Sequence, residues 1–296
     1  MEKRKIKRRF ILCIVGALLL AALPFALRHA FRTESREVII LMYHHLAEEA
    51  VEDNAYIISR EAFRAQMEAL RDAGFETVNF DDLIAFVDDG APLPERAVVI
   101  TFDDGYRSNL EIAAPILEEL GMQATINVIG VSRGRDAHWR TGDPIIPHFS
   151  FAEARPWVEA GVIQIQHHSH DMHQSSRFEP PETFRTGVLQ REGESDADYR
   201  AAFIADFNTL RQAIEDALGT RVTTYAYPHG LYTTETEDML RELGVRVTLS
   251  THAGINTIRR GDADSLFLMY RINMKEDIAP EQVIEFLESF RYPSED

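Results

Sequence analysis

From Val38 onward, short apolar runs alternate with stretches whose apolar residues recur every three to four positions. The two periods predict strands and helices in turn. Strands are expected over VIILMY (38–43), AVVITF (97–102), ATINVI (124–129), GVIQIQ (161–166), VTTYAY (222–227), VRVTLS (245–250) and LFLMYRI (266–272). AVVITF is continuously apolar up to its threonine, as in a strand buried on both faces. Between the strands, Phe63, Met67 and Leu70 repeat at helical spacing over 60–74, closed by Gly74. SNLE (108–111) reads as a capping box for a helix ending at Gly121. Further helices are expected over roughly 198–218, from TETE (234–237) to Gly244, and after Pro280. Seven or eight strand–helix units of this kind suit a barrel of parallel strands better than an open doubly wound sheet. No internal repeat, GxGxxG or Walker-type loop interrupts the pattern. In such barrels chemistry gathers at the strand ends.

The first 32 residues differ from the rest. They hold eight of the 31 Lys/Arg and one of the 48 acidic residues, and 10–27 form an uncharged apolar run broken by Pro24. That layout predicts a cytoplasmic basic stretch and membrane anchor over 1–32, a tether over 33–37 and one large domain over 38–296. The cell membrane would then be a partner, with the domain outside the cytoplasm; a cleaved signal peptide and secretion are the alternative. The strongly acidic remainder argues against nucleic acid as a partner. Cys13 is the one cysteine, so an intrachain disulfide and a cysteine metal cage are excluded. A metal site must use His, Asp or Glu.

The strand ends carry such residues. AVVITF runs into Asp103, Asp104 and Gly105, two adjacent carboxylates before a sharp turn. One can be stabilised as an anion by a cation while the other moves protons. GVIQIQ runs into HHSHDMH (167–173), which holds four of the eleven histidines. Strand parity puts His168 on the face of Gln164 and Gln166, toward a polar barrel mouth, and His173 can reach the same ion after a short turn. His with Asp suits Zn2+ or a neighbouring transition metal. LMYHHL (41–46) brings His44 and His45 to a third strand end, and YAYPHG (225–230) supplies a fourth.

With these residues assembled, the chain resembles the NodB-type polysaccharide deacetylases, carbohydrate esterase family 4. TFDDG (101–105) is similar to the family's first motif, HHSHDMH to its second, and YAYPHG stands at its Arg-x-Pro-Tyr-like loop. LMYHHL, ITFDDGYRSN and LQREGESDADYR (189–200) resemble the poly-N-acetylglucosamine deacetylase branch. The resemblance implies a distorted, incomplete (β/α) barrel and a metal-dependent hydrolase that removes N-acetyl groups from a hexosamine-containing cell-surface polysaccharide. It implies Asp103 as general base and Asp104, His168 and His173 as ligands of one divalent ion, Zn2+ first, with Co2+, Ni2+ or Fe2+ as alternatives. The backbone N–H of His229, flanked by Pro228 and Gly230, would help hold the oxyanion. His44 would be the acid, with His45 the alternative; His170 is the alternative ligand. Tyr106 would line the substrate site or simply pack. Ala226 stands where the family's loop carries Arg, so support for the base must come from elsewhere. The polar segment from Gln174 to Asp198 is expected to cover the site and set substrate choice.

Two other readings compete. GVSRG (130–134) fits GxSxG, with Ser132 as a serine-esterase nucleophile, though its downstream prolines argue against the helix that an elbow needs. The other is a non-catalytic glycan-binding module on a deacetylase-like fold.

Overall fold

The computed structural model describes residues 34–51 and 54–291. Its frame is a curled sheet in the order β10-β1-β5-β6-β7-β8-β9. The strands are β1 (Ser35–Tyr43), β5 (Ala97–Phe102), β6 (Ala124–Val128), β7 (Ile163–His167), β8 (Thr224–Ala226), β9 (Val247–Leu249) and β10 (Asn256–Arg259). Every neighbouring pair is parallel except β1 with β10, which is antiparallel. Short strands β4 (Glu76–Thr77) and β11 (Ile272–Asn273) add to β5 and β1, and β2 (His45–Ala47) pairs with β3 (Ile57–Ser59) apart from the sheet. This is the distorted, incomplete (β/α) barrel anticipated above.

Strand parity builds two cores. In β5 all six residues are buried, with Val98, Ile100 and Phe102 facing outward and Val99 inward. The outer core packs under α1 (Arg60–Asp72), α3 (Ala114–Leu120), α4 (Phe151–Glu159) and α5 (Asp196–Leu218). From α5, Phe203, Phe207, Leu210 and Ile214 are fully covered, each stabilising the fold by roughly 1.5–3 kcal/mol. The inner face is plugged at one end by α2 (Phe80–Asp89), whose Phe80, Leu83, Phe86 and Val87 meet Val38, Ile40, Val99 and Leu249. Asn79 starts α2 with a full capping box, and Gly90, left-handed at φ 71°, ends it. Helices α6 (Thr234–Glu242) and α7 (Pro280–Arg291) complete the shell.

Three local readings need correction. Ser108 does not cap a helix: its backbone is already helical, and a π-helical turn over Asn109–Ala113 precedes α3. Its hydroxyl instead accepts from Leu46 N at 3.0 Å and meets His45 Nδ1 at 2.9 Å. LFLMYRI is not one strand. A 3-10 turn takes Ala263–Leu266, Leu268 is left-handed at φ 53°, and Ile272 alone of the run enters β11. Finally, among the described residues no helix is long and apolar enough to cross a membrane. Even the 23-residue α5 carries charges along its length, from Asp196 to Asp216. The anchor expected at 10–27 lies outside the described residues. The anchor, the membrane as a partner and the location derived from them are withdrawn.

Candidate active site

Register brings the strand ends together. Tyr43 pairs with Phe102, Phe102 with Ile126, Val128 with His167, and His167 with Tyr225. One step further along β1, β5 and β7 lie His44, Asp103 and His168. By parity all three take the inner face, at the end that α2 leaves open. They line a cavity of about 570 Å³ together with His45, Asp104, Tyr106, His173 and His229.

Asp104, His168 and His173 each offer a ligand atom, all within 4.8 Å of one another. Asp104 Oδ1 lies 3.5 Å from His168 Nε2 and 3.6 Å from His173 Nε2. Ligands bound about 2.1 Å from a tetrahedral Zn2+ stand roughly 3.4 Å apart, so the spacing fits. The same oxygen is buried without a hydrogen-bond partner, which is costly unless a cation completes it. His168 Nδ1 sits 2.8 Å from Ala226 O. Donation to that carbonyl puts the proton on Nδ1 and leaves Nε2 as a free lone pair. Burial lowers the His168 pKa to about 4, so the imidazole is neutral at pH 7. Burial alone would raise Asp104, but the charges of His173, His44 and His168 outweigh it and hold the carboxyl below its ordinary value. The residues therefore fit a divalent cation.

Backbone strain supports this arrangement. Four described non-glycine residues have φ above zero, and three of them, Asp104, Ser169 and His229, are in or beside the site. The turn after β7 is held from α5. There Asp206 accepts from His170 N at 2.8 Å and Asp171 N at 2.7 Å. Burial pushes its pKa up to about 6 despite these bonds. Asp206→Ala is expected to weaken zinc binding roughly 10–100-fold by freeing the turn that joins both histidines. Asp206→Asn, able to accept one of the two bonds, should fall between. Competition against a chromophoric chelator measures both.

Asp103 lies beside the cluster, 2% exposed. Its Oδ1 accepts from Asn127 Nδ2 and from Arg271 Nη1, each at 2.8 Å. Its Oδ2 is 4.0 Å from His168 Nε2. Burial favours the neutral acid, but Arg271 and His168 overcome it and keep the carboxyl well below the usual range. Arg271 is itself fully buried, and its Nε donates to Ser250 O at 2.9 Å. It thus supplies the guanidinium that Ala226 lacks, from a different part of the chain. Sequence reasoning passed over both donors, although each is flanked by apolar or aromatic residues: Arg271 by Tyr270 and Ile272, Asn127 by Ile126 and Val128.

The remaining candidates separate clearly. His44 lines the cavity with Nδ1 buried and unpartnered, 4.9 Å ring to ring from Tyr56. His45 is tied to Ser108. His170 lies outside the ligand group; its ring packs at Gly130, where an added Cβ would come within 2.2 Å of Nδ1. His167 is a core residue stacked on Phe207 and Tyr225, and burial drops its pKa to about 3. Tyr106 is pressed against Asp104; burial first, then that charge, raises its phenol strongly. Pro228–Gly230 form a 3-10 turn that sets the His229 ring 4.2 Å from His173. Gly230 has no substitute there, since an added Cβ would lie 2.0 Å from Thr251 Oγ1. Ser132 belongs to a turn, and the next helix begins only at Phe151, so the strand–turn–helix elbow of a serine esterase is absent.

The model of the polysaccharide deacetylase family matches residues 90–248, which hold Asp103, Asp104, His168, His173 and the Pro228–Gly230 turn. The chain belongs to the polysaccharide deacetylase family. YxkH of Bacillus subtilis, provisionally named a polysaccharide deacetylase, is 24% identical over 252 residues, covering 85% of this chain and 76% of YxkH. The poly-β-1,6-N-acetyl-D-glucosamine N-deacetylase of Escherichia coli K12 is 22% identical over 73% of this chain. The chain spans only 34% of that longer enzyme. Among solved structures, a de-N-acetylase from Aggregatibacter actinomycetemcomitans shares the fold with a TM-score of 0.70 and 20% identity, over 84% of this chain and 99% of the other. The deacetylase domain is of the NodB type, related to the poly-N-acetylglucosamine enzymes; family membership and a triad able to hold a metal ion together support a hydrolytic enzyme.

Proposed function

We propose that this protein uses Zn2+ to remove N-acetyl groups from a hexosamine polymer, with Asp103 as base and His44 as acid. The observation that carries the reading is the Asp104–His168–His173 group standing beside a carboxylate whose Oδ1 is locked by two donors. A divalent cation held there supplies Lewis acidity, lowering the pKa of water and polarising an acyl oxygen. With Oδ1 occupied, Oδ2 of Asp103 is the atom free to take a proton from the attacking water. The depressed pKa keeps it ionised and ready at neutral pH. His44, from the neighbouring strand end, delivers a proton to the leaving amine. The His229 backbone N–H is offered to the developing oxyanion. The products are acetate and a free amine on the sugar.

The test is acetate release from a panel of N-acetylated glycans: β-1,6- and β-1,4-linked N-acetylglucosamine oligomers and peptidoglycan fragments. Activity should vanish with a chelator, return with added Zn2+ and resist a serine-directed phosphonate. Binding of these glycans by zinc-loaded protein with no acetate formed from any of them would refute the enzymatic reading.

A further inference from the structure

A second cavity, of about 490 Å³, opens from the first and shares Asp104, Tyr106, Ile146 and His173 with it. That volume lies within the range of small-ligand sites, roughly 300–1,000 Å³. Its far wall carries Trp139, 41% exposed and yet held in place. The indole N–H donates to Asp171 Oδ1 at 3.2 Å, and the Arg140 guanidinium sits 4.1 Å from the ring centroid. Arg140 is fixed in turn by ion pairs to Asp171 and to the buried Glu179. Next to it Phe178 stacks on His138, 4.5 Å between centroids at 15°. An aromatic side chain left two-fifths exposed, with its polar tip bonded to Asp171 and its ring held by Arg140, itself anchored on the buried Glu179, is a preformed platform rather than a stray surface residue.

We infer that this cavity is a subsite for the hexosamine residue next to the one being deacetylated, with Trp139 as its stacking surface. The inference rests on the deacetylase reading and deepens it. A pyranose presents an apolar C–H face and a rim of hydroxyls. The cavity matches both, offering the indole and Phe178 beside the polar groups of Gln174, Ser175 and Arg177. Because the two cavities share the ligands Asp104 and His173, an occupant of the second is contiguous with an acetamide held in the first. The occupant is therefore the next unit of one chain rather than an independent ligand. The site also gives the segment after His173 a task, since Gln174 to Glu179 form one wall. Asp171 joins this wall to the metal-binding turn.

The experiment compares binding of N-acetylglucosamine with binding of its β-1,6- and β-1,4-linked tetramers to zinc-loaded full-length protein, by calorimetry. In the wild type at least one tetramer should bind about tenfold or more tighter than the monosaccharide, an advantage of the size that one stacked ring supplies. Trp139→Ala should bring that ratio close to one. Trp139→Phe, which keeps an aromatic face and loses only the N–H, should retain most of it. The inference is overturned if neither tetramer outbinds the monosaccharide in the wild type. An unchanged ratio in Trp139→Ala overturns it too, as does an equal loss for monosaccharide and tetramer, which would make Trp139 a prop for the turn. Because the readout is binding, the two readings fail separately: absent acetate release counts against the deacetylase reading, and the tetramer ratio alone decides whether Trp139 holds a second sugar unit.

Discussion

Asp103→Asn is expected to lower kcat for acetate release by about 1,000-fold while the protein keeps its metal. The substitution is nearly isosteric, so the amide oxygen can take over the place of Oδ1 and accept from Asn127 and Arg271. What disappears is the anionic Oδ2, the atom available to receive a proton. The triad Asp104–His168–His173 is untouched, and zinc content measured by mass spectrometry should equal that of the wild type. Asp104→Asn should behave in the opposite order, with zinc lost first and activity lost because of it. Asp103→Asn also leaves the buried Arg271 without its counter-charge, which costs about 3–5 kcal/mol. The melting temperature should therefore fall, and rates must be compared on folded, zinc-loaded protein. If Asp103→Asn keeps near wild-type turnover, the base is another group.

The parts of this site that were legible in the sequence share a property: each is adjacent in sequence to the strand that delivers it. Asp103 and Asp104 follow β5 directly, and His168 and His173 follow β7. A buried apolar run with ligating residues at its end is enough to place them, because parity and the barrel rule need no long-range information. The parts that were missed depend on distance. Arg271 reaches Asp103 across 168 positions, and Asp206 reaches the His170–Asp171 amides across 36 and 35. A single charge in an apolar run says only that a partner exists, not where it is. LFLMYRI misled for the same reason. Its apolar residues serve a bent segment, where Leu268 turns left-handed and Met269 bridges Leu249. Ser108 shows tertiary context overriding local signal. An S-x-x-E pattern offers a cap, yet the nearby β2 strand presents an amide and an imidazole to the same hydroxyl, and those win.

Replacing Arg271 by Met tests the charge logic around Asp103, the proposed base, and its clearest signature is in pH rather than rate alone. In the wild type, burial would raise the Asp103 pKa, and the Arg271 guanidinium is the foremost influence opposing it. With the guanidinium gone, desolvation is opposed mainly by more distant charges, so the pKa must climb. The base then needs a higher pH to ionise. The acidic limb of kcat/KM should move upward by one unit or more, each unit corresponding to about 1.4 kcal/mol of lost preference for the anion. Activity should fall wherever the pH lies below the new pKa and recover as pH rises through it. The stability consequence has a definite sign. A depressed folded pKa favours the wild-type fold above the unfolded value near 3.9, and that contribution is lost as pH falls through the folded pKa. Once desolvation carries the folded pKa above that unfolded value the sign reverses, and Arg271→Met then loses stability as pH rises from about 4 toward its new pKa, unlike the wild type. Urea melts at pH 5 and pH 8 separate the two directions. Arg271→Lys keeps a cation but not the fork that holds both Asp103 and Ser250 O, and should lie between. An acidic limb that stays in place in Arg271→Met would mean that Asp103 is not the group whose ionisation the reaction needs. A limb that shifts together with the reversed stability slope would tie both effects to one carboxylate.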